Sequence, residues 1–155
     1  MSLNKVGDVQ AAQGDRAGAL TSYRDSLAII ERLAKSDPGN AGWQRDLSVS
    51  SQNVGDVEAS QGDLAGALTS YRDGVAIRER LAKSDPSNAD WQRDLVVSYA
   101  KLAIVCGRSN NRNDALVVLQ EGKAILDHFV KLSPDNARWK RDLAWFDDQI
   151  AALAK

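Results

Sequence analysis

Trp43, Trp91 and Trp139 stand 48 residues apart, and so do Pro38, Pro86 and Pro134, the only prolines in the chain. A sequence that repeats at a fixed period of this size is not an ordinary globular domain. Each period is one supersecondary unit that buries its apolar face only against its neighbours. GALTSYRD occurs at residues 18–25 and again at 66–73, ERLAKSDP at 31–38 and 79–86, and WQRDL at 43–47 and 91–95. A third copy drifts, reading NDALVVLQEGKAILDHFVKLSPDNARWKRDL over residues 113–143. Drift is expected of a terminal repeat, because one of its sides faces water. The length of 155 residues is three periods of 48 with 11 left over, and the remainder approximates a short helix at the start of the chain.

Each period contains two helical patterns. Trp43, Leu47, Val54 and Val57 fall on one stripe of a 3.6-residue helix, and Trp91, Leu95, Leu102 and Val105 repeat it. Leu64, Leu68, Tyr71 and Val75 form the stripe of a second helix, which Leu81 and Ala82 extend on the adjoining face. No strand-like alternation competes. Gln61-Gly62-Asp63 supplies a glycine to end one helix and an aspartate to cap the next, and Asp85-Pro86-Ser87-Asn88 ends the second helix before its proline. Helices A are therefore predicted near residues 1–12, 41–60, 89–108 and 137–153, and helices B near 15–36, 63–84 and 112–132. Turns this short make the two helices of a unit antiparallel neighbours. The first helix A is short: Val6-Gly7-Asp8-Val9 matches Val54-Gly55-Asp56-Val57, but nothing matches the upstream tryptophan. On this reading Met1-Ser2-Leu3 is partly a cloning remnant and the chain is a segment of a longer array.

The run Val54-Gly55-Asp56-Val57, Gln61-Gly62-Asp63-Leu64, Ala67-Leu68 and Tyr71 resembles the tetratricopeptide repeat. Gly55, Ala67, Tyr71 and Pro86 match the family's small residue, alanine, aromatic and terminal proline. Gly7, Ala19, Tyr23 and Pro38 do so in the first copy, and Ala103, Ala115, Leu119 and Pro134 more loosely in the third. Small residues at 55 and 67 let two helices approach closely, and the aromatic fills the groove beside them. The resemblance covers nearly the whole chain. It implies an all-α fold, a right-handed α-solenoid of antiparallel helical hairpins with about seven helices. Residues 1–155 then form one domain with copies near 1–40, 41–88 and 89–136 and a last helix over 137–155.

Two departures from the family pattern are informative. A standard repeat has about 34 residues, so a period of 48 adds about two turns to each helix. The simplest role for Trp91 in the added segment is to cover the extended end of the preceding helix B. The second departure is at the family's late helix B alanine, which is Ser26, Gly74 and Gly122 here. Glycine in a helix costs about 1 kcal/mol against alanine, so Gly74 and Gly122 point to close packing or local weakness.

Little in the chain suggests chemistry. His128 is the only histidine and occupies the polar position of Arg32 and Arg80, where a solvated or salt-bridging role is expected. Cys106, the only cysteine, replaces Gln10 and Glu58 and reads as a small buried apolar residue in a reducing cytoplasm. Isolated glycines form no phosphate-binding loop, so no cofactor, metal or enzymatic activity is expected. With 20 Lys+Arg against 21 Asp+Glu, the chain lacks the one-sided positive field that nucleic acid or an anionic membrane surface favours.

In tetratricopeptide-repeat proteins the A helices line a concave surface that binds peptides. The resemblance places Asn4, Lys5, Asp8, Val49, Gln52, Asn53, Asp56, Val97, Ala100, Lys101, Ile104, Arg108, Trp145 and Asp148 on that surface. Asn53, Asp56, Val97, Lys101, Ile104, Arg108 and Trp145 are the candidate partner-binding residues. The groove changes from polar and mildly acidic in two copies to apolar in the third. Asp8 and Asp56 stand where the chaperone-binding members use asparagine, which disfavours a carboxylate tail as ligand. Trp145 lies off the Trp139, Leu143, Phe146, Ile150, Leu153 stripe. It either joins Val97 and Ile104 in a patch for a partner segment, or covers the end of the stack or is buried by a following helix B absent from this chain. The expected function is a non-catalytic, cytoplasmic scaffold for a protein or peptide partner. The alternatives are a self-assembling segment, oligomerising through exposed solenoid ends, or the docking arm of a larger signalling protein.

Overall fold

A computed structural model describes residues 3–155. Among them are seven α-helices and no strand: α1 Leu3–Ala12, α2 Arg16–Ser36, α3 Ala41–Gln61, α4 Leu64–Ser84, α5 Ala89–Arg108, α6 Arg112–Leu132 and α7 Ala137–Leu153. Their bounds agree with the repeat reading to within about a residue wherever they can be compared. Met1 and Ser2, assigned above to the first helix and to a cloning remnant, lie outside the described residues.

Local capping accounts for these bounds. Asp15 and Asp63 each accept a hydrogen bond from the backbone N–H three residues on, at 2.9 Å. Asn40, Asn88 and Asn136 do the same for Trp43, Trp91 and Trp139 at 3.0, 3.1 and 3.2 Å. Each cap satisfies one of the four N–H groups that a helix start leaves without an intrahelical partner. Gly14 and Gly62 take the left-handed conformation with φ of 82° and 84°, which glycine adopts without a Cβ penalty. In the third copy Asn110 holds the same position at φ 55°. Asparagine is among the few other residues that enter this region readily.

The chain divides into two compact units, Met1–Asp85 and Pro86–Lys155. In the first, Ala19 and Ala67 are fully buried, and Tyr23, Val54 and Val57 form a cluster with Ala19 against which Leu20 and Leu27 pack. A Cβ on Gly55 would come within 2.8 Å of the Tyr71 ring, and Gly7 faces Tyr23 in the same way. The glycines therefore seat the aromatic rings between helices A and B. Gly74 lies against α3, where a Cβ would meet the Ser48 carbonyl at 3.3 Å. Close packing is thus the reason for this helical glycine.

In the second unit Leu119, Leu126 and Phe146 are almost completely buried. A Cβ on Gly122 would overlap the Phe146 ring, so this glycine lets α7 approach α6. Trp139 stacks on Phe129 with ring centroids 5.0 Å apart and planes at 26°, covering the extended end of helix α6. The sequence suggested this role for Trp91, the equivalent residue one period earlier. Lys123 bridges the same two helices, pairing with Asp147 at 2.8 Å and with Asp127 at 3.4 Å.

Gly122→Ala tests the ring contact. Alanine's better helix propensity is worth about 1 kcal/mol, but displacing a buried phenylalanine costs about 1–3 kcal/mol. The variant is expected to melt below the parent by circular dichroism; a higher melting temperature would show that the ring does not limit this packing.

Candidate functional site

The A-helix residues singled out in the sequence fall in both units. In the first, Asn53 is half-buried on α3, and Asp56 lies on the same helix, where its Oδ1 accepts a 2.6 Å hydrogen bond from the Tyr71 hydroxyl. Asp8 on α1 accepts from Tyr23 at 2.8 Å. These aspartates thus anchor the tyrosines besides giving the surface its acidic character. Burial, then the Asp8 hydrogen bond and the charges of Asp8 and Asp56, push the Tyr23 hydroxyl up to about 12. Gln52, also expected on the groove, accepts from Arg78 at 2.8 Å, while Arg78 Nε donates to Ser48 at 3.0 Å. Arg78 is buried where the other copies have Ile30 and Leu126, which the sequence reading did not single out.

A second polar pair lies beside the first. Glu58, 5% exposed, accepts from the Ser70 hydroxyl at 2.8 Å and from Arg24 at 2.9 Å, and Ser22 donates to Gln10 at 2.6 Å in the first copy. The third copy replaces both members of both pairs: Asp56 and Tyr71 correspond to Ile104 and Leu119, and Glu58 and Ser70 to Cys106 and Val118. Glu58 is nearly buried and losing a hydrogen bond to a buried carboxylate is costly, so exchanging Ser70 alone would destabilise the hairpin. The joint replacement was visible as repeat positions changing together, but its meaning required the contacts. Cys106 is fully buried, as expected of a small apolar residue. His128 is exposed on α6, its ring edge-on to Phe129 at 5.6 Å.

In the second unit Val97, Lys101, Ile104 and Arg108 follow one another along a single stripe of α5. Val97 and Ile104 are 37% and 50% exposed, large values for aliphatic side chains. Trp145 of α7 is half-buried and meets Phe146 edge-on at 5.1 Å. Ile104, Arg108 and Trp145 line an open cleft of about 360 Å³ floored by Ala115 and Leu119 of α6. Val97 and Trp145 line a second concavity of about 180 Å³. The fold thus brings Val97, Ile104, Arg108 and Trp145 to adjoining depressions, with Trp145 common to both. Lys101 lies between Val97 and Ile104 on the stripe.

A family model described as Tetratricopeptide repeat matches residues 1–38 and 50–87. This chain belongs to the tetratricopeptide-repeat family. The unmatched stretch 39–49 contains the Trp43-Gln44-Arg45-Asp46-Leu47 segment, where the longer period adds its turns. Among solved structures, the yeast histone chaperone Hif1, described as a scaffold protein recruiting protein complexes to core histones, superposes with a TM-score of 0.72 at 14% identity. The match covers 90% of this tetratricopeptide-repeat chain and 55% of Hif1, and it establishes a shared fold. The crystal structure of MamA protein aligns over 98% of this chain and 84% of that one, at 14% identity and a TM-score of 0.36. No curated protein matches the sequence significantly. No helix among the described residues is long and apolar enough to cross a membrane.

Because the folded Tyr23 hydroxyl titrates above its unfolded value, its contribution to stability is complete below pH 10 and disappears as pH rises towards about 12. In a Tyr71→Phe, Tyr99→Phe background, alkaline titration of tyrosinate absorbance should report the raised value, and Asp8→Asn should lower it. An unchanged titration in Asp8→Asn would remove the carboxylate as a cause.

Proposed function

We propose that the tetratricopeptide-repeat chain is a non-catalytic, cytoplasmic protein-interaction scaffold that docks a peptide or partner helix on the A-helix surface. The observation that carries this reading is the cleft of about 360 Å³ where Ile104, half exposed, stands beside Trp145 over an apolar floor. Concave apolar surface with a polar rim is the usual form of a peptide-binding site, and large aromatics commonly anchor the ligand. Val97, Lys101 and Arg108 extend the proposed contact along α5, while Asn53 and Asp56 offer a polar, acidic counterpart in the first unit. The unbroken 48-residue register supports reading residues 1–155 as one repeat domain.

Affinity capture with the parent chain, Trp145→Ala and Ile104→Asp, followed by mass spectrometry, tests the assignment. Ile104→Asp installs the residue that the first two copies carry, on an exposed position, and should leave the fold intact. A partner retained by the parent should be lost or weakened about tenfold or more in both variants. Capture indifferent to both changes would place the binding surface elsewhere.

One observation favours self-association as a second reading. Ile29 and Leu33 of α2 are 44% and 39% exposed, whereas the equivalent Ile77 and Leu81 of α4 are 7% and 8% exposed. Two aliphatic side chains that one copy buries lie open in the other, and exposed apolar surface favours association. On this reading, light scattering across a concentration series should show a rising mass that Ile29→Asp abolishes. A constant monomer mass would end it.

A further inference from the structure

The cleft of about 180 Å³ beside Trp145 has charged lining residues that apolar docking alone does not use. Val97 and Trp145 supply apolar surface, while Arg93 of α5 and Arg138 of α7 line the same space with Asp142 as its one carboxylate. Two guanidinium groups against one carboxylate leave the cleft net positive in a chain whose overall charge is -1. Arg93 Nε is buried and has no hydrogen-bond partner among the described residues. A buried N–H on a charged group is costly without an acceptor, and a carboxylate is its strongest partner. Both arginines lie on turns added by the long period. Arg93 belongs to the Trp91-Gln92-Arg93-Asp94-Leu95 segment, and Arg138 replaces Gly42 and Asp90 of the earlier copies.

We propose that this cleft selects a partner segment carrying an acidic side chain one helical turn from a large apolar one. The apolar side chain packs against Val97 and Trp145, and the carboxylate takes hydrogen bonds from Arg93 and Arg138. Carboxylate and apolar side chain four residues apart lie on the same helix face, matching the four-residue spacing of Arg93 and Val97 along α5. A nucleic acid strand would satisfy the arginines but needs a wider positive field than a chain with 20 basic and 21 acidic residues presents. The inference rests on the docking role proposed above and adds the chemistry of the partner.

Isothermal titration of the full chain with two end-capped helical peptides provides the test. One carries leucine and glutamate a turn apart, and its twin has glutamine in place of every glutamate. The acidic peptide should bind about tenfold more tightly, with an advantage that shrinks as salt is added. Arg93→Gln and Arg138→Gln should each lower acidic-peptide binding towards that of the twin. Because Arg138 is exposed, its variant keeps the test valid even where Arg93→Gln disturbs folding. Equal binding of both peptides that is still lost in Trp145→Ala overturns the acidic preference and leaves apolar docking standing. Equal binding that ignores Trp145, binding of neither peptide, or an acidic preference that survives both arginine changes overturns the proposal. Tighter binding of a single-stranded oligonucleotide overturns it in favour of a nucleic-acid site.

Discussion

Within each unit the spacing of neighbouring helices depends on an aromatic ring set directly over a glycine. Tyr23 lies on Gly7, Tyr71 on Gly55 and Phe146 on Gly122, so close in each case that a single added carbon would displace the ring. Such contact brings backbones near enough for short polar side chains to bridge two helices. In the first unit it also places each tyrosine hydroxyl against an aspartate of the preceding helix A. Packing and hydrogen bonding are therefore not separate contributions here, because the ring determines where the hydroxyl lies.

This coupling explains why the third copy departs from the others as a set. Removing Tyr71 alone would leave Asp56 without that donor, and removing Ser70 alone would do the same to the nearly buried Glu58. Replacing both members, as Ile104 with Leu119 and Cys106 with Val118 do, leaves no polar atom to satisfy. The same exchange turns an acidic helix A surface into an apolar one. One fold thereby offers two kinds of surface without changing its helices, and Trp145 lies where the apolar surface opens into clefts.

How much was legible in the sequence depended on the range of the interaction. Asn40, Asp63 and Asn136 cap the helices they precede, and Gly62 ends its helix in the left-handed conformation, all through contacts within a few residues. Cys106 and Trp139 were readable because repeat register identified their apolar surroundings. Arg78 was not, since its position is Ile30 or Leu126 elsewhere and only the contacts to Ser48 and Gln52 show how a buried guanidinium is accommodated. Asp8 and Asp56 were legible as acidic helix A residues, but the tyrosine hydroxyls bound to them lie fifteen residues away on another helix.

By itself the sequence determined the period, the helices, their caps and the family, because these follow from local backbone preferences and from repetition. Tertiary structure decided which polar side chains satisfy one another, which glycines seat rings, and which of the candidate residues share a cleft. Those outcomes depend on distances between helices, and in this protein those distances are governed by contacts between residues far apart in the chain.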